Sequence, residues 1–264
     1  MSQLPKIISI SNQKGGVGKT TTAVNLGASL ASKGKRVLVI DLDPQGNASS
    51  GYGVYKDQVE QSIYHVLIGT ASLESVIRNT EVPGLDLVPA STDLIGAEIE
   101  LVSAFAREQR LKNALATVHD RYDTILIDCP PSLGLLTVNS LTAADAVLIP
   151  LQAEYYALEG LGHLLHTIDL VRGSLNPELK LLGILLTMFD GRTSLSQQVE
   201  SEVRSHFPSL VYKTVIPRNV RLSEAPSHGR PAILYDVASR GSQGYLAMAE
   251  EMLAPEPPPA ASAA

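Results

Sequence analysis

The sequence contains a single cysteine, Cys129, among its 264 residues. One cysteine cannot build a disulfide framework or the cysteine cluster of a zinc or iron–sulfur site, which suits a reducing cytosol. No uninterrupted apolar run is long enough to cross a bilayer, and residues 1–6 lack the apolar core of a signal peptide. The sequence therefore predicts a cytoplasmic protein that does not bind membranes.

An excess of positive charge is also missing, since 21 Lys and Arg stand against 27 Asp and Glu, a net charge of −6. This argues against a protein that is basic all over, although it leaves room for a local basic patch. With 44% hydrophobic and 18% charged residues, the chain has the profile of a globular protein that buries its core without metal or disulfide staples. We expect a short N-terminal extension over residues 1–5, one domain over residues 6–253, and a disordered Pro/Ala-rich tail over residues 254–264.

Short apolar runs alternate with helical patterns along the chain. The runs predict strands at residues 7–10, 37–40, 85–88, 125–127, 146–150 and 181–187. Helical patterns lie at residues 20–32, 62–68, 72–78, 94–119, 133–143, 155–172, 194–206 and 239–253. This alternation predicts an α/β fold with a single doubly wound, mostly parallel sheet flanked by helices. Ligand-binding loops are then expected at the carboxyl ends of the strands.

A glycine-rich segment connects the first predicted strand to the first predicted helix. Its glycines allow backbone N–H groups to turn inward, and the helix N-terminus adds a positive dipole end. Lys19 is placed to reach the β- and γ-phosphates, the Thr20 hydroxyl to hold Mg²⁺, and Thr21 to bind the α-phosphate. The sequence therefore predicts an ATP-binding loop formed by Lys14, Gly15, Gly16, Val17, Gly18, Lys19, Thr20 and Thr21.

This loop departs from the common phosphate-binding pattern at one place. Six residues before Lys19, where the usual motif has its first glycine, the sequence has Gln13, and Lys14 follows it. A second lysine at a phosphate site can stabilise γ-phosphate oxygens, either in its own chain or across a dimer interface. An exposed loop lysine without such a role is the alternative.

The Lys-Gly-Gly-x-Gly-Lys-Thr segment resembles the deviant Walker A loop of the ParA/MinD class of ATPases. The resemblance extends over residues 6–253 and is greatest to the small, chromosomally encoded ParA (Soj-like) partitioning proteins. It implies the P-loop NTPase fold and an ATP sandwich dimer, in which Lys14 reaches the nucleotide of the partner subunit. Lys14 and Lys19 are therefore expected to take part in catalysis.

Aspartates follow two of the predicted strands. Asp41 and Asp43 lie two residues apart at one strand end, where they can serve a metal ion or a water molecule near the γ-phosphate. The resemblance implies that Asp43 positions the attacking water and that Asp128, the Walker B aspartate, holds Mg²⁺ through water. Asp41 fits a contact to a magnesium-bound water. Each aspartate alone is also explained as a strand-end cap, but the set favours a phosphate site.

Two later loops match the part of the family fold that flanks the adenine base. They follow predicted strand ends, and the resemblance implies base contacts from Met188, Pro217 and Asn219. Arg218 serves either the base pocket or the dimer interface. Ordinary loop packing is the alternative.

A local reversal of charge occurs between residues 203 and 230, where five basic residues face Glu224 alone, a net of +4. Such a patch is compatible with sequence-independent DNA binding through phosphate contacts, although a charged surface is more often only solvated. The resemblance implies that Arg192 and Arg221 line a DNA-binding surface. The other basic residues of the window are Arg204, Lys213, Arg218 and Arg230.

Taken together, these features predict a Mg²⁺-dependent ATPase that partitions DNA. The resemblance implies that its ATP-bound dimer binds double-stranded DNA nonspecifically at the nucleoid and that a ParB-like partner stimulates hydrolysis and release. One alternative is a MinD-like positioning ATPase, but its C-terminal basic amphipathic helix has no counterpart here, since residues 254–264 contain no Lys or Arg. Another alternative is a ParA-like protein that positions a cargo other than DNA.

Overall fold

The computed structural model describes residues 4–154 and 157–254 of the chain. Its seven strands are β1 (Ile7–Ile10), β2 (Val37–Asp41), β3 (Arg78–Asn79), β4 (Leu85–Val88), β5 (Thr124–Asp128), β6 (Ala146–Gln152) and β7 (Lys180–Thr187). They form one sheet in the order β3-β4-β2-β5-β1-β6-β7. All neighbouring strands are parallel except β3, which pairs antiparallel with β4. The predicted doubly wound, mostly parallel sheet is therefore confirmed, and six of its strands lie where the apolar runs predicted them.

Twelve helices surround this sheet in the described part of the chain. They are α1 (Lys19–Ser32), α2 (Asn47–Gly51), α3 (Ile63–Ile68), α4 (Leu73–Val76), α5 (Leu94–Glu100), α6 (Arg110–Leu115), α7 (Leu135–Ala143), α8 (Ala157–Ser174), α9 (Ser194–His206), α10 (Val220–Glu224), α11 (Ala232–Tyr235) and α12 (Arg240–Leu253). None of the described helices combines the length and apolarity needed to span a bilayer. The start of the predicted helix at residues 155–172 and nearly all of the predicted tail lie outside the described residues.

The sheet separates two hydrophobic cores because strand side chains alternate between its faces. On β2, Leu38 and Ile40 belong to the core that includes side chains of α7 and α8. Val37 and Val39 point into the other core, which includes side chains of α1 and α12. All four side chains are fully buried, as expected for a parallel strand covered on both faces.

The prediction of one continuous helix at residues 94–119 is wrong, because the structure has two separate helices there, α5 and α6. The chain leaves α5 at Glu100, and Ala106 adopts a left-handed conformation with φ of 51° before α6 begins. The amide of Asn139 on α7 replaces the missing helical hydrogen bonds, since its Nδ2 donates to the Arg107 carbonyl at 2.8 Å and its Oδ1 accepts from the Leu111 amide at 3.2 Å. Tertiary contacts to α7 therefore stabilise the break.

The carboxyl ends of three adjacent strands meet at one edge of the sheet. In the registers of these strands, Asp128 at the end of β5 pairs with Asp41 on β2 and with Ile10 on β1. The glycine-rich loop follows β1, and the acidic loop that includes Asp43 follows β2. This edge is where ligands bind in open α/β sheets.

Candidate nucleotide-binding site

The loop between β1 and α1 encloses a cavity of about 360 Å³. Gly16 and Gly18 have φ values of 75° and 85°. This left-handed backbone conformation is unfavourable for residues that carry a Cβ atom. Gly18 directly precedes α1, so that the loop ends at a helix N-terminus. The cavity is lined by Gly15, Gly16, Gly18, Lys19, Thr20, Thr21, Asp43, Gln45, Asn47, Pro131 and Met188.

Two hydrogen-bonding side chains hold this loop in place, and neither was singled out from the sequence. Buried Asn12 donates from Nδ2 to the Pro150 carbonyl at 2.8 Å and accepts the Lys14 amide at 3.0 Å. Thr187, at the end of β7, donates to the Val17 carbonyl at 2.8 Å. The loop is therefore anchored to β6 and β7 without any contribution from a nucleotide.

Lys19 is a buried cation at the base of the cavity, with its side chain turned toward the loop. The residue is 6% exposed, and its Nζ donates to the Lys14 carbonyl at 3.1 Å. Burial lowers the pKa of Lys19, while the nearby carboxylate of Asp128 acts in the opposite direction. A buried ammonium group with so few acceptors is well suited to bind phosphate oxygens.

Lys14 lies at the rim of the same loop and pairs with a carboxylate within its own chain. Its Nζ is 2.8 Å from Oε2 of Glu154, and the two side chains are 39% and 46% exposed. Glu154 follows the end of β6 and was not predicted as a site residue. Lys14 is therefore occupied in this structure by a half-exposed ion pair rather than by contacts inside the phosphate loop.

The two aspartates after β2 differ in their surroundings. Asp41 is fully buried, and its carboxylate accepts hydrogen bonds from the Asp43 amide at 3.1 Å, the Ser49 amide at 2.8 Å and the Ser49 hydroxyl at 2.7 Å. Burial raises the pKa of Asp41 to about 6, although these hydrogen bonds oppose the rise. Asp41 thus fixes the conformation of its own loop, and its contact to a magnesium-bound water stays a prediction. Asp43 lines the phosphate cavity and accepts the Gln45 amide at 2.9 Å.

Asp128 is the carboxylate whose surroundings best fit a cation. It is fully buried, and neither carboxylate oxygen has a hydrogen-bond partner among the described residues. Burial raises the pKa of Asp128 well above its ordinary value, and the neighbouring Asp41 raises it further. Buried polar atoms are nearly always paired, so that a cation with its water shell fits these oxygens. No three His, Cys, Asp or Glu side chains converge as a metal site in the described chain, so that such an ion needs phosphate oxygens as further ligands.

A second cavity, of about 250 Å³, adjoins the first. The two share Gly18, Thr21 and Met188 and therefore form one elongated site. The remaining lining residues are Thr187, Ile216, Pro217, Arg218, Asn219, Leu222, Ser223, Pro226 and Tyr245. The structure thus brings together Met188, Pro217 and Asn219, which were predicted to contact the base, with Arg218, whose role was left open. Their contacts with a base stay a prediction.

The loops that form this second cavity are linked through the backbone. The Phe189 amide donates to the Ile216 carbonyl at 3.0 Å, and the Arg218 amide donates to the Phe189 carbonyl at 3.1 Å. The expectation that Pro217 follows a strand is wrong, because the chain before it forms only isolated bridges. Met188 has a φ of 50°, a strained conformation of the kind that concentrates at binding sites.

Nearby carboxylates neutralise part of the basic surface that the sequence predicts. Arg192 is 90% exposed but pairs with Asp190 at 2.8 Å. Arg221 pairs with Glu224 at 2.7 Å and with Asp236 at 3.3 Å. Further carboxylates from outside the 203–230 window pair with Arg204 and Arg230. The net of +4 counted along the sequence is therefore partly offset in the folded chain, while Arg218 makes no ion pair with the described residues.

Comparisons with known proteins agree with this geometry. A family model described as an AAA domain matches residues 5–181. The chain is 61% identical to the sporulation initiation inhibitor protein Soj of Bacillus subtilis over 94% of the chain and 98% of that protein. It is 56% identical to the chromosome partitioning protein ParA of Myxococcus xanthus over 96% of the chain and 89% of that protein.

A solved structure is similar over the same length. The crystal structure of cobyrinic acid a,c-diamide synthase from Mycobacterium smegmatis with bound ADP and magnesium superposes with a TM-score of 0.82 at 40% identity. The superposition covers 93% of the present chain and 92% of the synthase chain. Its name specifies a different activity from those of the two relatives above.

Proposed function

Because the chain belongs to the ParA/Soj family of P-loop ATPases, we propose that it partitions DNA by forming an ATP-bound dimer that binds and releases the nucleoid. The proposal rests on the arrangement of two lysines around one phosphate cavity. Lys19 is buried inside the loop, whereas Lys14 lies at its rim with a half-exposed ammonium group. A nucleotide bound in this cavity needs only Lys19. Lys14 is therefore available to a nucleotide that is bound by another subunit.

Binding of ATP is assigned to groups that the fold already holds in position. The inward-turned backbone of the glycine loop, the N-terminus of α1 and Lys19 bind the phosphates. The hydroxyl of Thr20 and, through water, Asp128 hold Mg²⁺, and Asp41 supports the same water shell. When bound, Mg²⁺ neutralises charge that develops on the phosphate oxygens. The adjoining cavity, with Met188 and Pro217 in its wall, takes the base.

Hydrolysis is assigned to Asp43, which lines the phosphate cavity with its carboxylate fixed by the Gln45 amide. Asp43 orients the attacking water, and Lys14 of the opposite subunit stabilises negative charge on the γ-phosphate oxygens. Because each site then needs a lysine from the other subunit, hydrolysis occurs only in the dimer. ATP therefore sets the lifetime of the dimer.

The dimer binds double-stranded DNA nonspecifically through a surface that includes Arg192 and Arg221, which places it at the nucleoid. Both arginines pair with carboxylates here, so that DNA phosphates have to replace those partners. A ParB-like protein stimulates hydrolysis and releases the DNA. The main competing function is ATP-driven positioning of a cargo other than DNA.

ATP-dependent DNA binding tests the proposal. With Mg²⁺ and ATP, the protein is expected to bind unrelated DNA fragments with equal affinity, and the affinity falls steeply with salt. Replacing Arg221 or Arg192 by alanine removes two phosphate contacts per dimer, which lowers the slope of log K against log salt by about 2. Gel shifts over a salt series measure this slope.

Arg36→Ala provides the matched control, because Arg36 is also exposed and paired with a carboxylate, Asp123, but precedes β2 at the opposite edge of the sheet. It is expected to bind DNA like the wild type. Equal binding by the Arg221 and Arg192 variants would remove these residues from the DNA surface. Absence of any ATP-dependent DNA binding would favour a different cargo.

A further inference from the structure

Four large apolar side chains are exposed on one short segment of the chain. Ile95, Ile99, Val102 and Phe105 are 64%, 76%, 61% and 93% exposed, and we name them the apolar ridge. Among the other large apolar side chains of the described chain, Val220 at 62%, Leu170 at 59% and Val237 at 56% are the most exposed, but none of them belongs to a group of four on one short segment. Isolated exposed apolar residues are common, but a contiguous group of them marks an interaction site.

The ridge is not explained by the packing of α5 within its own subunit. Ile95, Ile99 and Val102 are spaced by four and three residues, which places them along one side of the helix and its continuation. The opposite side is already apolar and buried through Leu94 and Leu101. A helix that is apolar on both sides is typical of a position covered on both sides. No part of the chain that the structure describes covers the ridge, so that its exposed side suits a contact with another surface.

The helix that carries part of the ridge lies beside a loop that adjoins the phosphate loop. α5 follows β4, which ends at the edge of the sheet where the nucleotide cavity lies. The carboxylate of Glu98 on α5 fills the space beside Gly134, where a Cβ atom would overlap it. Gly134 belongs to the loop that follows Asp128, and in this loop Pro131 is 3.8 Å from the position that a Cβ atom on Gly15 would take. The loop after β5 therefore lies next to both the phosphate loop and α5.

We infer that the apolar ridge is buried against a second copy of this chain in the ATP-bound dimer. The inference rests on the proposed function, because the face that carries Lys14 toward another subunit has to include the loops that surround it. A surface near a two-fold axis meets its own copy, and an apolar ridge suits such self-contact because it brings no like charges together.

The charges around the ridge disfavour two other occupants. α5 contains Glu98 and Glu100 but no lysine or arginine, and Arg107, which follows the ridge, is paired with Glu108 at 2.8 Å. Anionic lipid surfaces and DNA attract clusters of basic residues, whereas these carboxylates repel both. A protein surface that is itself apolar remains, and the second copy is the one that the position of α5, one loop away from the phosphate loop, supports.

Dimer formation by an Ile99→Glu variant tests the inference. The wild type and the variant are titrated over protein concentration with Mg²⁺ and the non-hydrolysable analogue AMPPNP, and the masses are followed by analytical ultracentrifugation. We expect the dimer dissociation constant of Ile99→Glu to rise at least tenfold, while the affinity of the monomer for a fluorescent ATP analogue stays within twofold of the wild type. Phe105→Ser, at the most exposed position, is expected to weaken the dimer in the same direction.

Leu170→Glu is the matched control. Leu170 is 59% exposed on a helix, but it lies near the C-terminal end of α8, away from the edge where α8 begins. The dimer dissociation constant of Leu170→Glu is expected to equal that of the wild type. If Ile99→Glu and Phe105→Ser dimerise like the wild type, the ridge inference is wrong and the proposed dimer stands. If the wild type stays monomeric with AMPPNP, the proposed dimer and the ridge inference both fail.

Discussion

At the scale of single residues, Lys14 has two competing partners. In this structure its ammonium group pairs with Glu154, whereas the proposed dimer needs it at the nucleotide of another subunit. A half-exposed ion pair contributes roughly 0.2–1 kcal/mol. Breaking it is therefore a small cost for the proposed dimer, and we expect Glu154 to shift the ATP-dependent equilibrium toward the monomer.

Replacing Glu154 by glutamine should favour the dimer. The amide keeps the size of the side chain but loses the ionic attraction, so that Lys14 is released at lower cost. We expect the dissociation constant of the ATP-bound dimer to fall by about 2- to 30-fold, which corresponds to the energy of the two pairs that a dimer releases. Light scattering over a protein titration measures it. A weaker dimer would instead mean that Glu154 contributes directly to the interface.

Asp128 illustrates the opposite situation, a buried carboxylate whose oxygens have no hydrogen-bond partner in the part of the chain that the structure describes. The raised pKa values of Asp128 and Asp41 mean that the folded protein keeps protons that the unfolded chain has already released. The unfolded aspartates titrate near pH 4. The contribution of these two groups to stability is therefore present at low pH and is lost as the pH rises through about 6 and beyond.

An Asp128→Asn variant should accordingly be more stable than the wild type without nucleotide at pH 7.5. Removing an unpaired buried charge is expected to raise the free energy of unfolding by about 1–3 kcal/mol, or a few degrees in Tm. The same change should abolish the extra stabilisation that Mg²⁺ gives in the presence of ATP. Thermal denaturation between pH 5 and 8 measures both effects.

Asp123→Asn serves as the control of opposite sign. Its carboxyl group is exposed, and hydrogen bonding to Arg36 lowers its pKa to about 2. Neutralising it should reduce stability slightly at neutral pH. If Asp128→Asn behaves like Asp123→Asn, the buried carboxylate has a partner in solution and its assignment to the metal site is wrong.

At the scale of secondary-structure elements, the sequence predicted the strands well because they are buried on both faces. Continuous apolar runs such as residues 37–40 and 125–127 are short and are followed by an aspartate, which favours buried strands. The phosphate loop was predictable for a related reason, since its glycines and Lys19 are required locally. Helices near the surface were less predictable, and the one predicted at residues 94–119 is interrupted at Ala106.

The residues that sequence reasoning missed are those whose role depends on distant neighbours. Asn12, Thr187 and Glu154 hold the phosphate loop or Lys14 through bonds that span 138, 170 and 140 positions of sequence separation. No local pattern distinguishes them from other polar residues at strand ends. The fold alone reveals them, because the parallel sheet brings the ends of β1, β6 and β7 to one edge.

At the scale of the whole molecule, the nucleotide site joins parts that belong to both hydrophobic cores. α1, which begins in the phosphate loop, packs in the core that includes α12, whereas α7, after the Asp128 loop, packs in the other. A nucleotide that contacts both loops therefore stabilises the whole domain rather than one face of it. A ligand at a free concentration of about 100 times its dissociation constant adds about 2.7 kcal/mol to the free energy of unfolding.

Dimer formation should be visible as a second, separable effect on the stability of the whole molecule. Stabilisation by a bound ligand alone does not depend on protein concentration, whereas stabilisation by subunit association does. We expect Tm with Mg²⁺ and AMPPNP to rise with protein concentration, and Tm without nucleotide to be constant. A Lys14→Ala variant should keep most of the rise caused by the nucleotide, because Lys19 remains, but lose the dependence on concentration. Calorimetry over a 50-fold concentration range distinguishes these cases, and a concentration-dependent Tm without nucleotide would mean that the chain associates independently of ATP.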